Sequence, residues 1–246
     1  MPWIIIAAIA TASSVFILTL VNLYLYSCYK ERFMKLLTIA WSVYVLRYIF
    51  LIASVLWPAS TSLKMANYLC IIASAVMLVI GTQSIIGKSP TKWPKIVGTI
   101  IGLWTIGILV QGMPIISAII SIFAFLSFSY IQMGIQILRQ IQSYGIASRL
   151  VGWLFILWGI HQADYPLLRP IEWFAPWEFL IGSIFATTIA IGMILIYFER
   201  THKSLHEKEE RFNNVIESSQ NWIWEVDATG IYTFASNHVM DMIGYA

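Results

Sequence analysis

Acidic residues are nearly absent from the first 196 positions: only Glu31, Asp164, Glu172 and Glu178 occur there. Charge of either sign is scarce, at 11% of the chain, where soluble domains carry about a quarter. Cysteine is scarcer still, with Cys28 and Cys70 alone, so no disulfide framework is available. The net charge of +3 is too small, and too scattered along the chain, for a nucleic-acid surface. No nucleophile–base pair and no phosphate-cradling glycine loop is present, so no catalytic residue is assigned. In place of these stand 59% hydrophobic residues and a mean hydropathy of +0.77, which predict an integral membrane protein.

A bilayer core takes about 20 apolar residues per helix. Seven stretches meet that length: 3–26, 36–57, 65–86, 93–110, 115–138, 146–165 and 179–198. The fold class predicted is an all-α bundle of seven transmembrane helices, occupying 1–198. Alternate connections carry Lys30, Arg32 and Lys35, then Lys88, Lys92 and Lys95, then Arg139 and Arg149, then Arg200 and Lys203. The opposite connections carry only Lys64 and Arg169. Basic loops stay in the cytoplasm, so the N-terminus is expected outside and the C-terminus inside, with the inner (plasma) membrane as location. The first span has no basic leader and no small-residue cleavage site, and is expected to be retained. Gly98 and Gly102, and Gly182 with Ala186 and Ala190, are small residues at helix-packing spacing. Gln132 and Gln136 are one turn apart and are expected to hydrogen-bond between helices. Cys28 and Cys70 fall near opposite faces and are not expected to pair.

One region is conspicuously polar. Positions 161–178 hold His161, Asp164, Arg169, Glu172, Trp173, Trp177 and Glu178, with three prolines. His161 and Asp164 share a helix face. From Arg149, His161 lies about 18 Å along the helix, past the middle of the membrane. Arg47, in the second span, comes to similar depth, and a buried arginine there needs a partner or a wet cavity. It is expected to pair with an outer acid, Asp164 first, with Glu178 and Glu172 as alternatives. Arg47, His161, Asp164, Arg169, Glu172, Trp173, Trp177 and Glu178 are thus the candidate ligand-binding residues. Proton sensing by His161 is one form of that reading, and a rigid proline-stiffened loop with structural ion pairs is the competing one. No ligand spacing supports a metal site, and a retinal lysine or a bis-histidine haem is excluded: the last span has no lysine and the bundle one histidine.

From Glu199 to Arg211 almost every residue is charged or polar, with no glycine or proline. Phe198, Leu205 and Phe212 are seven apart, the stripe of a parallel coiled-coil homodimer. They are assigned as the signal-transmitting positions of a linker helix at 199–211. His202 and His206 are one turn apart and are expected to be solvated. Beyond it, Asn221 to Asp227 alternates as a strand, Ala228-Thr229-Gly230 is a turn, and Ile231 to Ala235 a second strand. Ser236 or Asn237 begins a short helix carrying Val239, Met240 and Ile243.

The run Glu210-Arg211-Phe212, Val215 to Ser219, Ile223 to Asp227, Gly230, Tyr232 to Phe234, Ser236-Asn237 and Ile243-Gly244-Tyr245 resembles the N-terminal portion of a PAS domain. That resemblance implies an α+β domain begun at 212–246 and incomplete, in a longer protein. It implies a sensor of the bacterial and archaeal type, with a histidine kinase of a two-component system or a diguanylate cyclase as output. PAS pockets in such families hold haem, flavin or nothing, so the cofactor stays open. The expected partners are the lipid bilayer, a second copy of the chain and a small ligand or stimulus, not nucleic acid. A passive anchor for a cytoplasmic PAS sensor, and a transporter with a regulatory tail, are the alternatives.

Overall fold

The structure is a computed structural model that describes residues 2–139, 145–168, 171, 173–218 and 224–235. Seven helices occur in it: α1 (Pro2–Tyr29), α2 (Arg32–Leu56), α3 (Thr61–Ile85), α4 (Trp93–Val110), α5 (Ile116–Leu138), α6 (Ile146–Leu168) and α7 (Ala175–Ser218). Two strands follow, β1 (Trp224–Val226) and β2 (Tyr232–Ala235). The chain divides into two compact units, Met1–Tyr197 and Phe198–Ala246.

Six of the helices, α1 to α5 and α7, are long and apolar enough to cross a membrane. The sixth of the seven expected spans is present as a helix, but α6 is not in that set. Its 23 residues include Arg149, His161, Gln162, Asp164 and Pro166, which dilute its apolar character. Its other face is nonetheless core: Val151, Phe155 and Trp158 are buried.

In the first unit the helices pack as neighbours in sequence, with α3 also against α5. Helix α6 lies antiparallel between α5 and α7. Gly159 meets Ile131 and Ser127, and Gly152 meets Leu138, so the α5 partners descend as α6 ascends. On the other side Val151 faces Gly192, and His161 faces Gly182 and Glu178. Helix α7 closes the bundle against α1 and α2 through Tyr29 and Phe33 on Tyr197, and Tyr48 on Phe179.

Glycines set the closest approach. A Cβ on Gly134 would stand 2.5 Å from the Gly152 carbonyl oxygen, and one on Gly159 would stand 2.9 Å from both the Ser127 oxygen and the Ile131 nitrogen. These contacts are with backbone, so only glycine fits. Gly98 likewise seats Val76, while Gly102 makes only ordinary contact with Leu69. Gly112, at φ 67°, forms the tight turn between α4 and α5.

Polar residues in these helices are satisfied locally. The hydroxyls of Thr11, Thr19, Thr38, Thr82 and Thr105 each donate to the carbonyl one turn back. Ser74 instead donates across to the Ala40 carbonyl at 2.9 Å, tying α3 to α2. The expected interhelical bonds of Gln132 and Gln136 are not formed: their side-chain oxygens are buried without a hydrogen-bond partner. A half-turn position on a wholly apolar helix does not reveal whether a donor faces it. Both cysteines are free.

In the second unit the expected hairpin is present. β1 and β2 are antiparallel, with Trp224 opposite Ala235 and Glu225 opposite Phe234, and an irregularity after Glu225. Trp224 and Tyr232 meet edge to face, 5.7 Å apart. Asp227 organises the turn: its Oδ1 accepts from the Thr229 hydroxyl at 2.7 Å, the Thr229 N–H at 2.8 Å and the Ile231 N–H at 3.0 Å. Gly230, at φ 84°, completes it. The Thr229 hydroxyl first, then the Ile231 and Thr229 N–H groups, hold the Asp227 carboxyl below the usual carboxylate range. A depressed carboxylate stabilises the fold above its ordinary value of about 4 and loses that contribution as pH falls through the lower, folded value. The protection factors of the Thr229 and Ile231 amides, taken against the intrinsic rate at each pH, are therefore expected to fall on acidification below that range. Asp227→Ala is expected to give the lower protection already at neutral pH. Equal protection in both proteins would show the carboxylate to be idle. The remaining positions of the expected PAS-like segment, 219–223 and 236–246, lie outside the described residues.

Candidate functional site

A cavity opens among α2, α6 and α7, with Ile71 of α3 and Phe123 of α5 contributing to its wall. Helix α2 supplies Tyr44, Arg47 and Tyr48, which share a face because they are three and four residues apart. Helix α6 supplies His161, Gln162 and Tyr165 by the same spacing, and α7 supplies Glu178, Phe179 and Gly182. About 30 Å³ is open to the centre of a water-sized sphere. That is room for one or two waters or a very small polar ligand, since a single water needs about 10–15 Å³ on the same measure.

Arg47 is 6% exposed, and its guanidinium carbon lies 4.9 Å from the Tyr48 ring centre and 5.3 Å from that of Tyr44. Such ring faces stabilise a desolvated cation by about 2 kcal/mol or more at best. The two rings are perpendicular, and the Tyr48 hydroxyl donates to that of Tyr44 at 3.4 Å. The Arg47 Nε is buried with no hydrogen-bond partner, and the guanidinium makes no ion pair among the described residues.

The expected Arg47–Asp164 pair is therefore not formed. Asp164 is turned toward its own helix neighbour: its Oδ1 lies 3.4 Å from His161 Nδ1. Arg47 and His161 do come to one level of the bundle, but that level says nothing about which way a helix faces. The other ring nitrogen, Nε2, lies 3.3 Å from the Glu178 carbonyl oxygen. His161 thus spans from α6 to α7. Gly182 leaves it room, since a Cβ there would sit 4.0 Å from Nε2. Glu178 is buried, in the first turn of α7, where the helix dipole favours a carboxylate. Tyr165 stacks on Phe123 at 3.8 Å and fixes α6 to α5 behind the cavity.

Of the residues proposed from sequence, Arg47, His161 and Glu178 line this one cavity, and Asp164 joins it through His161. Trp173 and Trp177 are exposed and take no part in the wall. The aromatic wall is made instead by Tyr44, Tyr48, Phe123, Tyr165 and Phe179. Arg169 and Glu172 lie outside the described residues. Tyr44 and Tyr48 were readable as neighbours of Arg47 by helical spacing alone, and Gln162 and Tyr165 as neighbours of His161. Among the described residues, no three His, Cys, Asp or Glu side chains come together as a metal site. No protein-family model, curated protein or solved structure matches the chain. The cavity brings together a buried cation, a buried carboxylate, several hydroxyls and an imidazole bridging two helices.

In the second unit Phe198, Leu205 and Phe212 are all exposed on α7. His206 Nε2 lies 3.3 Å from Glu210, with both side chains more than half exposed. Such a surface pair contributes little to stability.

Proposed function

We propose that the chain is the membrane-embedded receptor module of a signal-transduction protein. The observation that carries this is α7 itself. It begins beside Glu178 in the cavity wall and is helical through an apolar span and a charged stretch to Ser218. A stimulus that binds two arrangements of the cavity unequally would shift α7. Seven crossings are supported by α6 running antiparallel between two membrane-length helices over most of its length. The positive-inside pattern of the loops puts the N-terminus outside and the segment after Tyr197 in the cytoplasm of a plasma-membrane protein. The exposed stripe of Phe198, Leu205 and Phe212 suits a parallel homodimer. The Asp227 hairpin, with the motifs around it, supports a PAS domain that passes the signal to a histidine kinase or diguanylate cyclase.

The test is a fusion of residues 1–218, in heptad register, to a histidine-kinase core. Arg47→Lys and Tyr48→Phe are each expected to change autophosphorylation several-fold at unchanged membrane expression. Unchanged activity in both would favour a passive anchor.

A further inference from the structure

We propose that His161 is a proton-operated clasp between α6 and α7. Both ring nitrogens lie near acceptors: Nε2 is in hydrogen-bond contact with the Glu178 carbonyl oxygen at 3.3 Å, and Nδ1 is 3.4 Å from Asp164 Oδ1, a buried oxygen that takes no hydrogen bond in this arrangement. A neutral imidazole carries one N–H and one lone pair, so it can donate to only one of them. With the proton on Nε2, a lone pair faces a carboxylate oxygen. With the proton on Nδ1, a lone pair faces a carbonyl oxygen and the tie to α7 is lost. Only the imidazolium donates to both at once. Binding one proton at the vacant nitrogen therefore turns a repulsive contact into an attractive one and lets the tie to α7 and the contact with Asp164 exist together.

The surroundings suit a site that titrates. The His161 side chain is 11% exposed and borders the cavity, so a proton can arrive through water. Facing groups come from three helices: Arg47, Tyr44 and Tyr48 on α2, Asp164 and Tyr165 on α6, and Glu178 on α7. Arg47 opposes a second positive charge, and the Asp164 and Glu178 carboxylates offset it. Phe185, with its ring centre 6.0 Å from the imidazole, covers part of one side. The clasp names the stimulus for the receptor reading above and takes its biological meaning from that reading, although its chemistry does not depend on it.

The experiment uses the whole chain in lipid nanodiscs, with Cys28 and Cys70 replaced by serine and spin labels at Leu167→Cys and Leu180→Cys. Both positions are exposed and outside the cavity wall. Distances are measured between about pH 8 and pH 5.5, the range over which imidazole changes charge. The expected result is a shorter, narrower α6–α7 distance in acid, following a single proton. His161→Gln is expected to abolish the transition, and Asp164→Asn to shift its midpoint. A pH-independent distance in the parent protein, or a transition retained in His161→Gln, overturns the clasp. Should His161→Gln lose its helicity, Asp164→Asn decides: an unmoved midpoint is equally fatal. A titrating clasp combined with a kinase fusion indifferent to the cavity would remove the receptor reading and leave the clasp. A responsive fusion with no such transition would do the reverse.

Discussion

Gly159→Val is expected to prevent α5 and α6 from packing and to cost the bundle about 3 kcal/mol or more, the upper end of overpacking penalties. The new Cβ would fall 2.6 Å from Ile131 Cγ1 and 2.9 Å from both the Ile131 nitrogen and the Ser127 oxygen. A side chain can rotate away, but the two backbone atoms belong to a hydrogen-bonded helix and cannot. Relief requires separating the helices, which would also strip Tyr130 from its stack on Trp158, 4.4 Å away. Gly134→Val, facing the Gly152 oxygen, is expected to behave alike. Gly107→Ala is the control, because nothing lies within 4 Å of the added carbon. It is expected to be neutral or slightly stabilising, as alanine favours helix over glycine. Unfolding followed by steric trapping in bicelles reads the difference. Equal stability of Gly159→Val and Gly107→Ala would show that the seam is not close-packed.

A single alanine inserted after Glu199 is expected to lock or abolish output in the kinase fusion, and seven residues inserted there to restore it. One residue turns everything downstream by about 100°, while seven return it to within about 20°. Phe198, Leu205 and Phe212 recur every seven residues, so one insertion throws Leu205 and Phe212 out of line with the span. Thr201 and Lys208, at the companion positions, make the stripe apolar only at alternate layers, which leaves little reserve against such a mismatch. Autophosphorylation across inserts of one to seven residues should therefore oscillate with the helical period. A flat profile would remove α7 as the transmitting element, whatever the cavity binds.

Long apolar runs made the helices legible. α4 spans 93–110 as read from sequence, and α5 starts one residue later than expected. Starts set by caps were less so: α3 begins at Thr61, where the Ser60 hydroxyl oxygen accepts from the Leu63 N–H. The charged stretch and the last span belong to a single helix, and no glycine or proline stands between Met193 and Ser218. Orientation about each helix axis was not legible. In lipid both faces of a helix are apolar, so the contrast that marks an inward face in a soluble protein is weak. Arg47 and His161 could be brought to one level of the bundle but not oriented about their axes, and the pair assigned first, Arg47 with Asp164, is not formed for that reason. The α5–α6 seam was overlooked for another. Gly152 and Gly159 lie seven apart on one helix and Gly134 on the other, so their meeting is a property of the pair.

The distribution of glycine has a mechanical side. Along α5 and α6 the backbones touch at several heights, and stacked rings fill what remains, so that pair forms a stiff slab. Of the two glycines of α7, Gly192 is the tight one, where a Cβ would run into the Val151 side chain of the slab. About 21 Å away along α7, at Glu178, its neighbours are the cavity and an imidazole. A stiff wall, a close bearing at Gly192 and a cavity at the opposite end favour tilting of α7 over sliding.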